Sequence, residues 1–207
     1  MITVHHLENS RSQRILWMLE ELAMPYTIKR YERDKDTMLA PPELRQVHPL
    51  GKSPVIDDDG LVIAETGAIV EYLVEKADGR LGAPAHRDAA LRYRFWLHYA
   101  EGSMMTPLVL KLILGRIPVL GKPAQKRMQP MIDVHLDYVE REIATRPWFA
   151  GDAMTAADVM MSFPIEAARS RAGLDESRPA TLAWLAKVHA RPAYQRALAK
   201  GGPYAYA

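Results

Sequence analysis

The stretch HPLGKSPVIDDDGLVIAETGAIVEYL, residues 48–73, decides the fold. A Gly-Lys-Ser-Pro turn leads into the short apolar run Val55–Ile56. A second run, Leu61–Ile63, follows Asp-Asp-Asp-Gly. Asp-Gly between apolar runs is a strong hairpin signal, because both residues tolerate the left-handed backbone a tight turn demands. The chain then enters a helix from about Glu65 to Lys76, with Ile69, Val70 and Leu73 on one face.

Upstream, ITVHHL carries Ile2 and Val4 in period two and reads as a strand. From Arg11 to Ala23 the residues Ile15, Met18, Leu19 and Leu22 recur at helical spacing. YTIKRY reads as a second strand with Pro25 at its entrance, and PPEL at 41–44 as a short helix. The order is β-α-β-α-β-β-α. It predicts a four-stranded mixed sheet, with a parallel pair joined by a right-handed crossover and an antiparallel hairpin. Residues 1–78 form this α/β domain.

Downstream, residues 85–200 show only helical periodicity, so 85–207 is read as an all-helical domain. Helices are expected at about 85–115, 123–145, 155–170, 179–190 and 192–200, with breaks at Gly115–Pro118, Pro147, Gly151, Gly173 and Pro192. Thr155-Ala-Ala-Asp158 matches a capping box and is read as a structural cap.

Composition narrows the function. The net charge is only +2, with Lys and Arg spread along the chain, which argues against a nucleic-acid surface. The most apolar run, PLVLKLILGRIPVLG at 107–121, is broken by Lys111, Gly115, Arg116 and Pro118 and is too short and polar to span a bilayer. No cationic segment followed by an apolar core opens the chain, so the expectation is a cytoplasmic protein with no membrane partner. There are no cysteines, so any thiol chemistry must arrive on a ligand. The seven histidines show no metal-ligand spacing, and none is assigned to a metal. Gly115–Lys122 lacks the spacing and the hydroxyl of a phosphate loop.

Three short segments carry candidate chemistry. Pro54 at a strand entrance turns the N–H and C=O of Ser53 outward, above all if the Ser53–Pro54 bond is cis, and such an edge can pair with an extended peptide. Glu65 and Thr66 open a helix whose free N–H groups attract a carboxylate, while Glu65 can accept from an ammonium. Together they suit the α-amino acid end of a short peptide. In the turn ENSRSQR at 8–14, Asn9, Ser10 and Ser12 are all N-cap candidates. A hydroxyl there can also donate to an anion. For a thiol with an ordinary pKa near ~8.5, that favours the thiolate, the nucleophilic form.

With these residues in view, the chain resembles a cytosolic glutathione S-transferase over almost its whole length. HPLGKSPVI, ETGAIVEYL, SRSQRILWMLEEL, the all-helical second half and TAADV carry the resemblance, and the wording is similar to the Gtt1-like, serine-type branch. It implies a thioredoxin-like N-terminal domain, a helical C-terminal domain holding a hydrophobic acceptor site, glutathione as co-substrate and a homodimer. The implied activity is attack of the glutathione thiolate on a hydrophobic electrophile, with peroxide reduction as a variant. The rival is a non-catalytic glutathione-binding regulatory protein.

The resemblance places Ser10 at the thiol-activating position, with Asn9 and Ser12 as close alternatives. Ser53 and Pro54 match the residues whose backbone pairs with the cysteinyl part, although Ser53 departs from the usual Val. Glu65 and Thr66 match the γ-glutamyl pair. Lys52 fits the glycine carboxylate, with His48 a second candidate. Glu101 matches an acid that acts across the dimer, an ordinary surface acid being the alternative. Met104, Met105 and Leu108 resemble an acceptor-site wall, with core packing the alternative for each.

Overall fold

The computed structural model describes all 207 residues. Two compact units divide the chain. The first is Met1–Gly82 with His189–Ala205 and Ala207, and the second is Ala83–Val188 with Tyr206.

In the first unit, β1 (Ile2–Leu7), α1 (Ser12–Glu21), β2 (Tyr26–Tyr31), α2 (Leu44–Val47), β3 (Val55–Asp58), β4 (Leu61–Ala64) and α3 (Thr66–Lys76) follow in the expected order. The sheet order is β2-β1-β3-β4. β1 runs parallel to β2 and antiparallel to β3, and β3 is antiparallel to β4. Helix α2 begins at Leu44, after the prolines in which the sequence reading placed it. The carbonyls of Pro41 and Pro42 accept from Leu44 and Arg45 at 3.2 and 3.0 Å, so the prolines form the turn into the helix. Pro42 also disfavours a helical backbone at the residue before it.

The last helix, α9 (Pro192–Gly201), lies in this first unit, packed along α1. Trp17 meets Tyr194 edge to face, with ring centroids 5.6 Å apart. Buried Glu20 accepts from Arg196 at 2.7 Å and Tyr26 at 2.8 Å, and also pairs with Lys200. Burial works to raise the Glu20 pKa, but the hydrogen bonds from Lys200, Arg196 and Tyr26 outweigh it and draw it down to about 2.

The second unit holds α4 (Arg87–Tyr99), α5 (Met105–Leu114), α6 (Gly121–Ile143), α7 (Ala156–Arg171) and α8 (Pro179–His189). A single helix was expected over 85–115. The structure breaks it with a π-helical turn, Ala100–Met104. Pro107 supplies the reason: it has no N–H for the carbonyl four residues earlier and its ring crowds that carbonyl. Beside it, Thr106 Oγ1 donates to the Gly102 carbonyl at 3.1 Å. Tyr138, Trp96, Phe149 and Trp184 pack in that order, with successive ring centroids 5.4, 4.6 and 5.0 Å apart.

Helix α7 is buried from Ala156 to Ala168, so its start must be satisfied from within. Asp158 does this. It accepts from the Thr155 N–H at 2.8 Å, the Thr155 hydroxyl at 3.1 Å and the Phe149 N–H at 3.0 Å. The capping box is thus present and reaches one step further, into the preceding loop. Burial raises the Asp158 pKa to about 6 against the pull of these donors.

Candidate functional site

The sheet topology brings three candidate segments to one end. Antiparallel pairing places the end of β1 beside the start of β3 and the end of β4, with His5 opposite Val55 and Val55 opposite Ala64. One residue beyond this register stand Pro54 and Glu65. The turn after β1 holds Asn9, Ser10 and Ser12.

The Ser53–Pro54 peptide is cis. The Ser53 hydroxyl donates to the His5 carbonyl at 2.8 Å and accepts from the Leu7 N–H at 3.2 Å, fastening the loop to β1. Its side chain is therefore structural, and its backbone N–H and C=O have no protein partner. Gly51 takes φ +57° in the preceding turn, a conformation glycine adopts without strain. Lys52 is exposed beside it. His48 is half-buried and shapes the turn: its carbonyl accepts from Gly51 at 2.9 Å, and its Nδ1 from the Leu50 N–H at 3.4 Å.

Glu65 precedes α3 with φ 71° and ψ 120°, a strained backbone for a residue with a Cβ. Its carboxylate is exposed and unpaired. Thr66 is buried at the first position of α3, and its hydroxyl has no protein partner. A donor-rich helix start thus stands next to an open carboxylate, opposite charge preferences side by side.

The turn after β1 separates its three candidates. Asn9 takes φ 48°, and its Oδ1 accepts from the Ala205 N–H at 2.8 Å, so its amide oxygen is committed to the C-terminal segment. Ser12 is fully buried and starts α1. Its Oγ lies 2.8 Å from His6 Nδ1, 2.7 Å from Ser10 Oγ and 3.2 Å from the Leu7 N–H. Ser10 is 6% exposed and forms the outer end of this chain.

The Ser12 hydroxyl faces two groups that can accept its proton, His6 Nδ1 at 2.8 Å and the Leu7 carbonyl at 3.2 Å. Ser10 Oγ accepts from the Ser12 backbone N–H at 3.2 Å and shares a hydrogen bond with Ser12 Oγ at 2.7 Å. Burial, then the nearby Arg30, lowers the His6 pKa to about 4, so the ring is neutral near pH 7. Sequence reasoning passed over His6. Period two puts His6 on the same face of β1 as Ile2 and Val4, so a polar side chain on a core-facing position was the available signal.

In the second unit, half-buried Glu101 lies in the π-helical turn. Met104, Met105 and Leu108 are each 1% exposed and face no open surface. No three His, Cys, Asp or Glu side chains converge as a metal set.

The comparisons with known proteins fit this geometry. Residues 10–76 match the family model described as glutathione S-transferase, N-terminal domain, and residues 104–192 match its C-terminal domain. The chain is 38% identical to glutathione S-transferase 3 of Schizosaccharomyces pombe, over 97% of this chain and 88% of that one. A glutathione S-transferase structure from Actinobacillus pleuropneumoniae superposes with a TM-score of 0.89 at 32% identity, covering 100% of this chain and 95% of the other. A glutathione transferase family member from Pseudomonas fluorescens, solved with two glutathione bound, gives 0.80 at 26% identity, covering 95% and 92%. With a thioredoxin-like unit carrying the cis-proline edge and an all-helical unit behind it in sequence, the chain belongs to the glutathione S-transferase family.

Proposed function

We propose that this protein binds glutathione at the end of the sheet and activates its thiol for attack on a hydrophobic electrophile. One observation carries the reading: Ser10, the open backbone edge of Ser53 before cis-Pro54, and the Glu65–Thr66 helix start lie at the same end of the sheet. The cysteinyl backbone pairs with Ser53. The γ-glutamyl carboxylate takes the Thr66 hydroxyl and the N–H groups of α3, while its ammonium takes Glu65. Lys52 serves the glycine carboxylate.

Ser10 is the proposed thiol-activating residue. To reach a thiolate it turns its hydroxyl outward, exchanging a neutral hydrogen bond to Ser12 for a charge-assisted one. A bond to a charged group contributes about 1.5–3 kcal/mol and a neutral one about 0.5–1.5. The difference, about 1–1.5 kcal/mol, lowers the thiol pKa by about one unit. The α1 dipole adds a smaller amount of the same sign.

The 2.7 Å hydrogen bond between Ser10 Oγ and Ser12 Oγ also favours a second reading. If the hydroxyl stays on Ser12, glutathione binds as an unactivated thiol and the protein is a glutathione-binding regulator. Calorimetry with glutathione, paired with a conjugation screen of electrophiles and hydroperoxides, separates the two. Binding with turnover supports the enzyme, and binding without turnover supports the regulator. The screen also weighs transferase against peroxidase activity. The proposed assembly is a cytoplasmic homodimer in which Glu101 assists the partner's γ-glutamyl site. A monomer in sedimentation at micromolar concentration removes that role.

A further inference from the structure

The turn between α5 and α6 is built unlike the rest of the surface. Val119 is 90% exposed, Leu120 72% and Ile113 53%, and Ile117 lies exposed between them. Val119 also takes φ 63°. A β-branched residue in that region is strained, and an exposed aliphatic one gains nothing from burial. The strain is held by two backbone bonds, Leu120 N–H to Pro118 C=O at 2.7 Å and Gly121 N–H to Ile117 C=O at 3.2 Å.

Charge along this stretch of sequence has one sign, and Asp133, just beyond it, acts on Lys111 at the base. Residues 102–132 contain Lys111, Arg116, Lys122, Lys126 and Arg127 and no Asp or Glu. Arg116, Lys122, Lys126 and Arg127 are exposed and form no ion pair. At the base of the tip, Lys111, Arg116 and Arg171 line a cavity of about 220 Å³ with Leu112, Gly115 and Gln125. No carboxylate lines it. Arg171 donates to the Tyr206 hydroxyl at 2.9 Å, yet its buried Nε has no partner.

We propose that the α5–α6 tip docks on an anionic phospholipid bilayer, its aliphatic side chains entering the headgroup boundary and its cations meeting lipid phosphates. Exposed apolar residues and a basic rim are the two signals that together hold a protein on such a surface. The contact lies in the plane of the interface. It therefore requires no spanning segment, and no helix is long and apolar enough to cross a membrane. The sequence expectation of no membrane partner rested on span length and on the missing secretory-type opening, and neither bears on a surface contact.

The test is co-sedimentation of the full chain with vesicles of mixed phosphatidylglycerol and phosphatidylcholine, against phosphatidylcholine alone. Binding to the anionic vesicles only, weakened by salt, is expected. Val119→Asp with Leu120→Asp should reduce vesicle affinity at least tenfold. Each of Lys122→Glu and Lys126→Glu should cost about fivefold or more. Thermal unfolding and glutathione binding should stay unchanged in all of them. Absence of binding to anionic vesicles overturns the proposal, as does binding indifferent to the Val119 and Leu120 changes. So does dissociation of a dimer by those changes, which assigns the tip to a second copy of the chain.

Discussion

Ser10 Oγ stands 2.7 Å from Ser12 Oγ, and Ser12 is in turn tied to His6 and the Leu7 backbone. The relationship divides two roles that the sequence leaves superimposed. Ser12 is buried and bonded on every side, so it fixes the turn between β1 and α1. Ser10, at the outer end, has a hydroxyl whose direction can change. The Leu7 N–H is shared between Ser12 and Ser53, which couples the turn to the cis-proline loop. Removing the Ser12 hydroxyl should therefore disturb both segments. Removing that of Ser10 should change the chemistry and take from the Ser12 N–H its acceptor at 3.2 Å, a smaller loss than that of Ser12.

Glu65 should matter for binding far more than for stability. Its carboxylate is exposed and unpaired, so Glu65→Ala breaks no internal contact. Loss of a hydrogen bond to a charged group costs about 1.5–3 kcal/mol, roughly 10- to 150-fold in glutathione affinity. Calorimetry measures this directly. Unchanged affinity removes Glu65 from the site.

The ion cluster between α1 and α9 predicts an acid limit. The Glu20 pKa is drawn down to about 2, below its unfolded value near ~4.5. Its contribution is therefore complete above pH ~4.5 and lost as pH falls through about 2. Glu20→Gln should cost about 1–3 kcal/mol at pH 7 and nothing extra near pH 2. Equal losses at both pH values, in urea unfolding, would show that the charge is not what holds α9.

Asp158 and His6 pull stability in opposite directions over one pH range. Burial raises Asp158 to about 6, so its contribution is greatest below its unfolded value and is lost as pH rises through 6. Burial lowers His6 to about 4, so its contribution is complete above its unfolded value near ~6.5 and lost as pH falls through 4. In the wild type the two slopes oppose each other between pH 4 and 6. Asp158→Asn leaves only the His6 slope. It should cost about 2–4 kcal/mol, because three donors lose their carboxylate, and should lose stability on acidification more steeply than the wild type. Parallel pH profiles for the two proteins would contradict this assignment.

Much of this was legible in local sequence. Asp-Asp-Asp-Gly between two apolar runs gave the hairpin, Ser-Pro the cis turn, and Thr155 with Asp158 the cap, because each depends on neighbours a few residues away. The misses are longer-range. Helical periodicity runs unbroken from 85 to 115, since a π turn moves faces without changing which residues are apolar. The docking of α9 and its start on α1 joins residues 170 or more apart, through ion pairs that leave no periodic mark. The Ser10–Ser12–His6 contacts join the turn to β1 through a buried histidine, and nothing near residue 10 announces it.

The most direct test of the central claim is the pKa of bound glutathione in the wild type and in Ser10→Ala, followed by thiolate ultraviolet absorbance across pH. With Ser10 as donor, the wild type should hold the thiol one to two units below its free value, and Ser10→Ala should return it by about one unit. The conjugation rate at neutral pH should fall about tenfold, with glutathione affinity nearly unchanged. An identical thiol pKa in the two proteins would contradict the account and leave Ser10 as part of the turn alone.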